Sequence, residues 1–358
     1  MKKLAALLLT AVIFLGLSAA RADGRVFVSW YSFDDVYLSG VRAALDAEFA
    51  ARGIAVDDED AEGLEQMQID DANGLLLSGA DALLINLVDS GDVRAARRLM
   101  DVARALDVPA VFFNRSVSAD DAEAAALFLG YGKSAYVGTD FEGAGRLQGR
   151  MIGEYLTAHF DETDLNGDGV ISYVLFKGAE GNRQADARTR LARETADALL
   201  TQAGRPALRF YDTGNGSQYL ADLNGGWSNV ASCAYMQDIL AEYNAENGNM
   251  VELIICNNDD MAIGAVNALT EAGYNTGVPG APAIPVFGVD AIEEARELIR
   301  QGRMTGTVLQ DGAELARTIA QVTANLLAGA PVLEGLGENI TVVDGWFAQI
   351  PYAPYTGE

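Results

Sequence analysis

The residues with the clearest chemistry are Asp164-Leu165-Asn166-Gly167-Asp168-Gly169-Val170-Ile171-Ser172, which put oxygen side chains at loop positions 1, 3, 5 and 9, glycine at 6 and a main-chain carbonyl at 7. Calcium is a hard cation that needs several oxygens in one bowl, and alternate residues around a glycine-permitted turn supply them in EF-hand-type loops. Position 12 should carry a bidentate Glu, yet Leu175 stands there. A calcium ion held by Asp164, Asn166, Asp168, Val170 and Ser172 therefore needs a carboxylate from elsewhere in the fold. The competing reading is an Asp/Asn-rich turn with no metal. The apolar, β-branched run after the loop reads as a strand, so the motif is a stapled turn rather than a switching pair of helices.

A second set of polar residues recurs at the ends of apolar runs. Asp34 and Asp35, Asn86 and Asp89, Asn114 and Arg115, Asn257 to Asp260, Asp290, and Gln310 with Asp311 all take such positions. The runs themselves lie at 25–31, 81–88, 109–114, 171–176, 208–211, 251–256 and 285–289, separated by segments with helical spacing such as Val41, Leu45 and Phe49. Strand then helix, repeated, predicts parallel sheets with crossover helices, in which ligands bind beyond the carboxyl ends of the strands. Turn chemistry alone also favours Asn and Asp at such places, but the recurrence points to one shared polar site. A dinucleotide loop is excluded, because Gly143-Ala144-Gly145 is followed by Gln148 where the fingerprint requires glycine.

Composition narrows the field. The chain has 358 residues, 51 Asp+Glu against 25 Lys+Arg, a net charge of −26 and His159 as its only histidine. This length predicts two lobes, and the acidity disfavours nucleic acid and anionic lipid as partners. One histidine removes His-based triads and His-rich metal sites. Cys233 and Cys256 have no CxxC spacing, and Cys256, inside an apolar run, is expected to be a buried thiol. Lys2 and Lys3, an apolar stretch to Leu17 and the small-residue exit Ala20-Arg21-Ala22 predict a cleavable secretory leader over 1–22, hence a periplasmic product.

Taken together, Asp34-Asp35, Ile85-Asn86-Leu87-Val88-Asp89, Val111-Phe112-Phe113-Asn114, Tyr136-Val137-Gly138-Thr139-Asp140, the calcium loop, Ala187-Arg188-Thr189, Asn257-Asn258-Asp259 with Met261-Ala262, Pro285-Val286-Phe287-Gly288-Val289-Asp290-Ala291 and Gly306-Thr307-Val308-Leu309 resemble the periplasmic galactose/glucose-binding proteins, the receptors of sugar ABC importers, over nearly the whole mature chain. The resemblance implies an α/β, type 1 periplasmic binding protein fold with two Rossmann-like lobes and a three-segment hinge. The expected lobes are 23–135 with 311–345, and 136–310 with 346–358. It implies Glu252 as the missing calcium ligand, with calcium in a structural role. It implies sugar contacts from Asp35, Asn86, Arg188, Asn258 and Asp290, and rings over the two sugar faces from Tyr37 and Trp227, Trp227 having core packing as its alternative. Asn182, Gln184 and Gln310 replace the family's usual His, Asp and Asn, keeping hydrogen-bonding capacity while changing the pattern of hydroxyls it rewards.

The implied protein is not an enzyme. It is a monomer that closes over one monosaccharide and presents the closed shape to an ABC importer permease, with a chemoreceptor as a further candidate partner. Glucose is preferred, galactose and xylose remain open, and a sugar-sensing regulator and a secreted glycosidase are the readings from other classes.

Overall fold

The computed structural model describes residues 24–357 apart from 78 and 119. The expected leader at 1–22 lies outside the described residues. The chain opens as strictly alternating units: β1 (Arg25–Trp30), α1 (Val36–Arg52), β2 (Ala55–Asp60), α2 (Glu65–Leu77), β3 (Ala82–Ile85), α3 (Val93–Ala105), β4 (Ala110–Phe113), α4 (Asp121–Leu129) and β5 (Ser134–Thr139). The second run is α5 (Gly143–Thr163), β6 (Ser172–Lys177), α6 (Arg183–Gln202), β7 (Arg209–Phe210), β8 (Leu220–Ala221), α7 (Asn229–Glu242), β9 (Leu253–Cys256), α8 (Asp259–Glu271), β10 (Val286–Asp290), α9 (Glu293–Arg300) and β11 (Gly306–Gln310). The chain ends with α10 (Gly312–Ala328), β12 (Thr341–Val343), β13 (Phe347–Ile350) and β14 (Tyr352–Tyr355).

Among the described residues these strands form two seven-stranded sheets, one in the order β12-β13-β5-β4-β3-β1-β2 and one in the order β14-β11-β10-β9-β6-β7, where β8 also pairs with β6. Pairing is parallel except for the edge strands β12 on β13 and β14 on β11. Side-chain alternation explains how one sheet serves two cores. Val26, Val28 and Trp30 of β1 face the cluster that includes Leu38, Val41, Leu45 and Phe49 of α1 with Leu315 and Ile319 of α10. Phe27 faces the opposite cluster, with Leu99 and Met100 of α3 and Phe128 of α4. The second lobe is one large core in which α5 and α6, and α7 and α8, pack against β6, β9 and β10. Cys256 is fully buried there as a free thiol.

The lobe boundaries differ from the expected ones at two of the three crossovers. β5 runs in register beside β4 and β13 in the first sheet, so the first crossover follows Thr139 rather than falling before Tyr136. β13 also belongs to the first sheet and β14 to the second, so the last crossover sits at Pro351 rather than ahead of Trp346. A strand belongs to whichever sheet completes its hydrogen bonds, and the Tyr136 and Phe347 rings pack at a tilt with centres 5.0 Å apart within the first lobe's core. The strand β2, Ala55-Val56-Asp57-Asp58-Glu59-Asp60, was absent from the apolar runs because acids fill it. As an edge strand with most positions partly exposed it tolerates them, and edge charges discourage strand addition.

Candidate functional site

The polar residues at the strand ends turn out to be helix caps as well as cleft residues. Asp35 caps α1 by accepting from the Leu38 amide at 2.9 Å, Asn182 caps α6 by accepting from Gln184 and Ala185, and Asn258 caps α8 by accepting from Met261. Three helix N-termini, one from the first lobe and two from the second, therefore converge on one cleft and present their partial positive ends to it.

That cleft is lined by Asp35, Tyr37, Asn182, Gln184, Arg188, Trp227, Asn258, Asp290 and Gln310, together with Tyr31, Asn114 and Arg115. The first nine are sequence-predicted site residues that the two lobes bring together. Asn86 is not among them. Its amide is fully buried under β1 and β4, accepting from the Tyr31 N–H and donating to the Phe113 carbonyl, so it ties the floor of the first lobe together. The end of β4 supplies the lining residue in its place. Asn114 and Arg115 occupy the same strand-end position as the other candidates, and that was the signal by which they could have been chosen.

Arg188 organises the second-lobe side. Its guanidinium donates to the Asn257 carbonyl and to Gln310 Oε1, both at 2.8 Å, and lies 3.8 Å from Asp290 Oδ1. Burial pulls Arg188 down, but the Tyr352 and Asp290 oxygens outweigh it and hold it above its ordinary range. Burial pushes Asp290 well up, against the pull of Arg188 and with the repulsion of Asp259 added. On the first-lobe side Arg115 lies with its guanidinium carbon 3.9 Å from the centre of the Tyr31 ring, and Tyr31 donates to Asp35 Oδ2 at 2.7 Å. Burial lowers Arg115 and Tyr31, Asp35 and Asp89 partly restore it.

Two features mark the cleft as a place where ordinary backbone and packing preferences yield. Asn114, Trp227, Asp290 and Ala291 all take positive φ, at 62°, 55°, 121° and 56°. Such conformations in non-glycine residues gather at ligand clamps, where the surrounding structure holds them. Trp227 also lies so close over Gly178 that a Cβ there would meet the indole at 2.0 Å. Glycine is thus required for the ring to form a wall of the cleft.

Four buried side-chain groups of lining residues have no hydrogen-bond partner: the Tyr37 hydroxyl, Asn182 Nδ2, Arg115 Nε and Arg188 Nε. All four can donate.

The loop 164–172, for which calcium is expected, joins α5 to β6 away from the cleft residues. Glu252, at 0% exposure, accepts from the Asn166 N–H at 3.0 Å, the Ser172 N–H at 2.8 Å and the Ser172 hydroxyl at 3.0 Å. Asp164 accepts from the Asp168 and Gly169 amides, and Asp168 pairs with Arg209. Among the described residues no three carboxylate, imidazole or thiol groups already converge as a metal cluster. The donor set nevertheless fits a hard cation: Glu252 is a carboxylate buried against an oxygen-rich loop, and no Lys or Arg among the described residues pairs with it.

Two parallel-sheet lobes, three crossovers and a polar cleft at the carboxyl ends of the strands define a two-lobed ligand-capturing protein. Residues 26–331 match the periplasmic binding protein domain family, and the chain belongs to that family. It is 34% identical over 340 residues, 94% of this chain and 92% of the relative, to the D-galactose/methyl-galactoside binding periplasmic protein MglB of Haemophilus influenzae. It is 22% identical over 319 residues, 89% of this chain and 83% of the other, to the ribose import binding protein RbsB of Bacillus subtilis. In fold it is similar to an ABC transporter periplasmic solute binding protein from Actinobacillus succinogenes with bound D-allose, with a TM-score of 0.69 at 18% identity, covering 93% of this chain and 98% of that one.

Proposed function

We propose that this is a periplasmic sugar-binding protein that captures one monosaccharide between its lobes and delivers it to the permease of an ABC importer. The observation that carries this reading is that four unpartnered buried donors belong to residues lining one cleft, whose lining also includes the Tyr37 and Trp227 side chains. An unmet buried donor costs about 1–3 kcal/mol, and a pyranose answers several at once with its hydroxyl and ring oxygens while its C–H faces meet the aromatic rings. Asp35, Asp290 and Gln310 add acceptors for the hydroxyl protons. The names of the relatives describe binding and import, which supports capture rather than catalysis. D-glucose and D-galactose lead, in keeping with the hexose named for the Haemophilus relative, and xylose is the alternative. The neutral Asn182 and Gln184 are where discrimination between these sugars is set.

A structural calcium ion belongs to the same reading. Asp164, Asn166, Asp168, the Val170 carbonyl, Ser172 and Glu252 would hold it, neutralising the buried Glu252 and tying the α5–β6 loop to the start of β9. Its effect would be on stability and on the setting of β6, whose carboxyl end leads to the Asn182 cap.

Thermal-shift screening of the mature chain against aldohexoses, pentoses and polyols, with mass analysis of the recovered ligand, tests the function. The expected result is a rise with a hexose that is recovered intact. Hydrolysis of an offered disaccharide, or no rise with any sugar, would overturn it.

A further inference from the structure

At the N-terminus of α6 three consecutive side chains do three different jobs. Asn182 caps the helix and lines the cleft, while Gln184 crosses to the first lobe and donates to the Asn114 carbonyl at 3.1 Å. Between them Arg183 turns outward along the rim. Its Nη1 donates to the Ser118 carbonyl at 2.8 Å and pairs with Asp121 Oδ1 at 3.0 Å, both in the first lobe at the entry to α4. The guanidinium carbon also sits 4.3 Å from the centre of the Phe141 ring, in the crossover just after β5. The rim pair is only partly shielded, with the Arg183 side chain 25% exposed and Asp121 72%.

We propose that Arg183 is a closed-state clamp, a positioning residue that sets how long a captured ligand stays. Its partners Ser118 and Asp121 move with the first lobe and Arg183 with the second, so both contacts exist only when the lobes are shut. Phe141 packs against Tyr136 and the rest of the first lobe's core, so its contact with the guanidinium also bridges the lobes and is released together with those to Ser118 and Asp121. Contacts made only in the closed state shift the open–closed balance, and the flanking Asn182 and Gln184 are carried into the cleft by the same helix end. Because the clamp forms after the lobes have met, it acts on dissociation far more than on association. Ser118 is buried and Asp121 exposed, so the hydrogen bond to the Ser118 carbonyl carries the larger share, and salt weakens only the Asp121 part.

The proposal rests on the reading of the cleft as a sugar site, and the test separates the two. Arg183→Gln and Asp121→Asn chains are compared with the natural sequence by stopped-flow tryptophan fluorescence with sugar and by small-angle X-ray scattering without it. For Arg183→Gln the expected results are dissociation about tenfold faster, association within about twofold, an unchanged melting temperature of the ligand-free chain, and a larger ligand-free radius of gyration. Asp121→Asn should give a smaller change in the same direction, and the double variant should be no worse than Arg183→Gln alone. If the natural chain takes up sugar and Arg183→Gln changes neither dissociation nor scattering, the clamp is overturned and the sugar reading stands. If the natural chain takes up no sugar, the scattering comparison alone decides: a larger radius in Arg183→Gln supports the clamp, and equal radii overturn it.

Discussion

Replacing Gly178 by Ala is a small change whose consequence can be worked from distances. The new methyl would lie 2.0 Å from Cδ2 and 2.1 Å from Cε3 of Trp227, where carbon atoms normally sit about 3.5–4.0 Å apart, so the ring must withdraw by about 1.5 Å or more. The Trp227 backbone cannot easily give way. It holds φ at 55°, and the next residue, Ser228, is pinned through its amide and hydroxyl to Asp222 Oδ2, both at 3.0 Å, while its own oxygen caps α7. Relief must come from tipping the indole into the space the ligand would occupy. Overpacking of this kind costs about 1–3 kcal/mol, and if it falls on the loaded state, affinity drops about 5- to 150-fold. Calorimetric titration with the best sugar reads this directly. In a Trp227→Ala background the three atoms nearest the added methyl are gone, so Gly178→Ala should then cost far less affinity. Affinity within about twofold of the natural chain, or an equal loss in both backgrounds, would refute the assignment of Trp227 as a wall of the sugar site.

Other perturbations separate structural from binding roles. Asn86→Ala leaves the buried Tyr31 N–H unpartnered and the Phe113 carbonyl with only the Arg115 N–H, so stability should fall by about 1–3 kcal/mol in denaturant titration while the folded fraction keeps its sugar affinity; a selective loss of affinity would return Asn86 to the site. Glu252→Gln should lower the melting temperature by several degrees in calcium buffer and far less in chelator, since a ligand bound only by the folded state stabilises it by ~2.7 kcal/mol at a hundredfold excess over Kd. Equal losses in both media would remove the calcium assignment. Burial pushes Asp259 up to about 7, so the folded chain holds this proton more tightly than the unfolded chain. The stability it contributes is therefore fully present below the ordinary carboxylate value of 3.8 and is lost as pH rises through about 7. Melting curves of ligand-free Asp259→Asn should show a flatter fall over that window, and an unchanged slope would contradict the assignment.

The two-lobed α/β plan was legible because buried parallel strands read as apolar runs and the polar residues following them recur. The same recurrence located Asp35, Asn258, Asp290 and Gln310, while Tyr37, Asn182, Gln184, Arg188 and Trp227 were reached only through the family resemblance. Its ambiguity between turn chemistry and ligand chemistry had no single resolution, because Asp35, Asn182 and Asn258 cap helices and line the cleft at once. Asn86 and Asn114 show what a linear pattern lacks. Both end strands of the first sheet, but which of two neighbouring amides points inward depends on how β3 and β4 pack. The acidic β2 escaped notice because edge position, not composition, permits it. The crossovers at Thr139 and Pro351 depend on which sheet completes a strand's hydrogen bonds, a long-range fact. The rim contact of Arg183 with Ser118 and Asp121 joins segments about 60 residues apart and had no sequence signal.

The central claim is that one monosaccharide fills the cleft between the lobes. Isothermal titration of the calcium-loaded mature chain with D-glucose and D-galactose, repeated with Asp290→Asn, tests it most directly. The expected result is saturable heat at one sugar per chain for at least one of the two, lost or much weakened in the variant. No heat with either sugar, or the same affinity after Asp290→Asn, would contradict it.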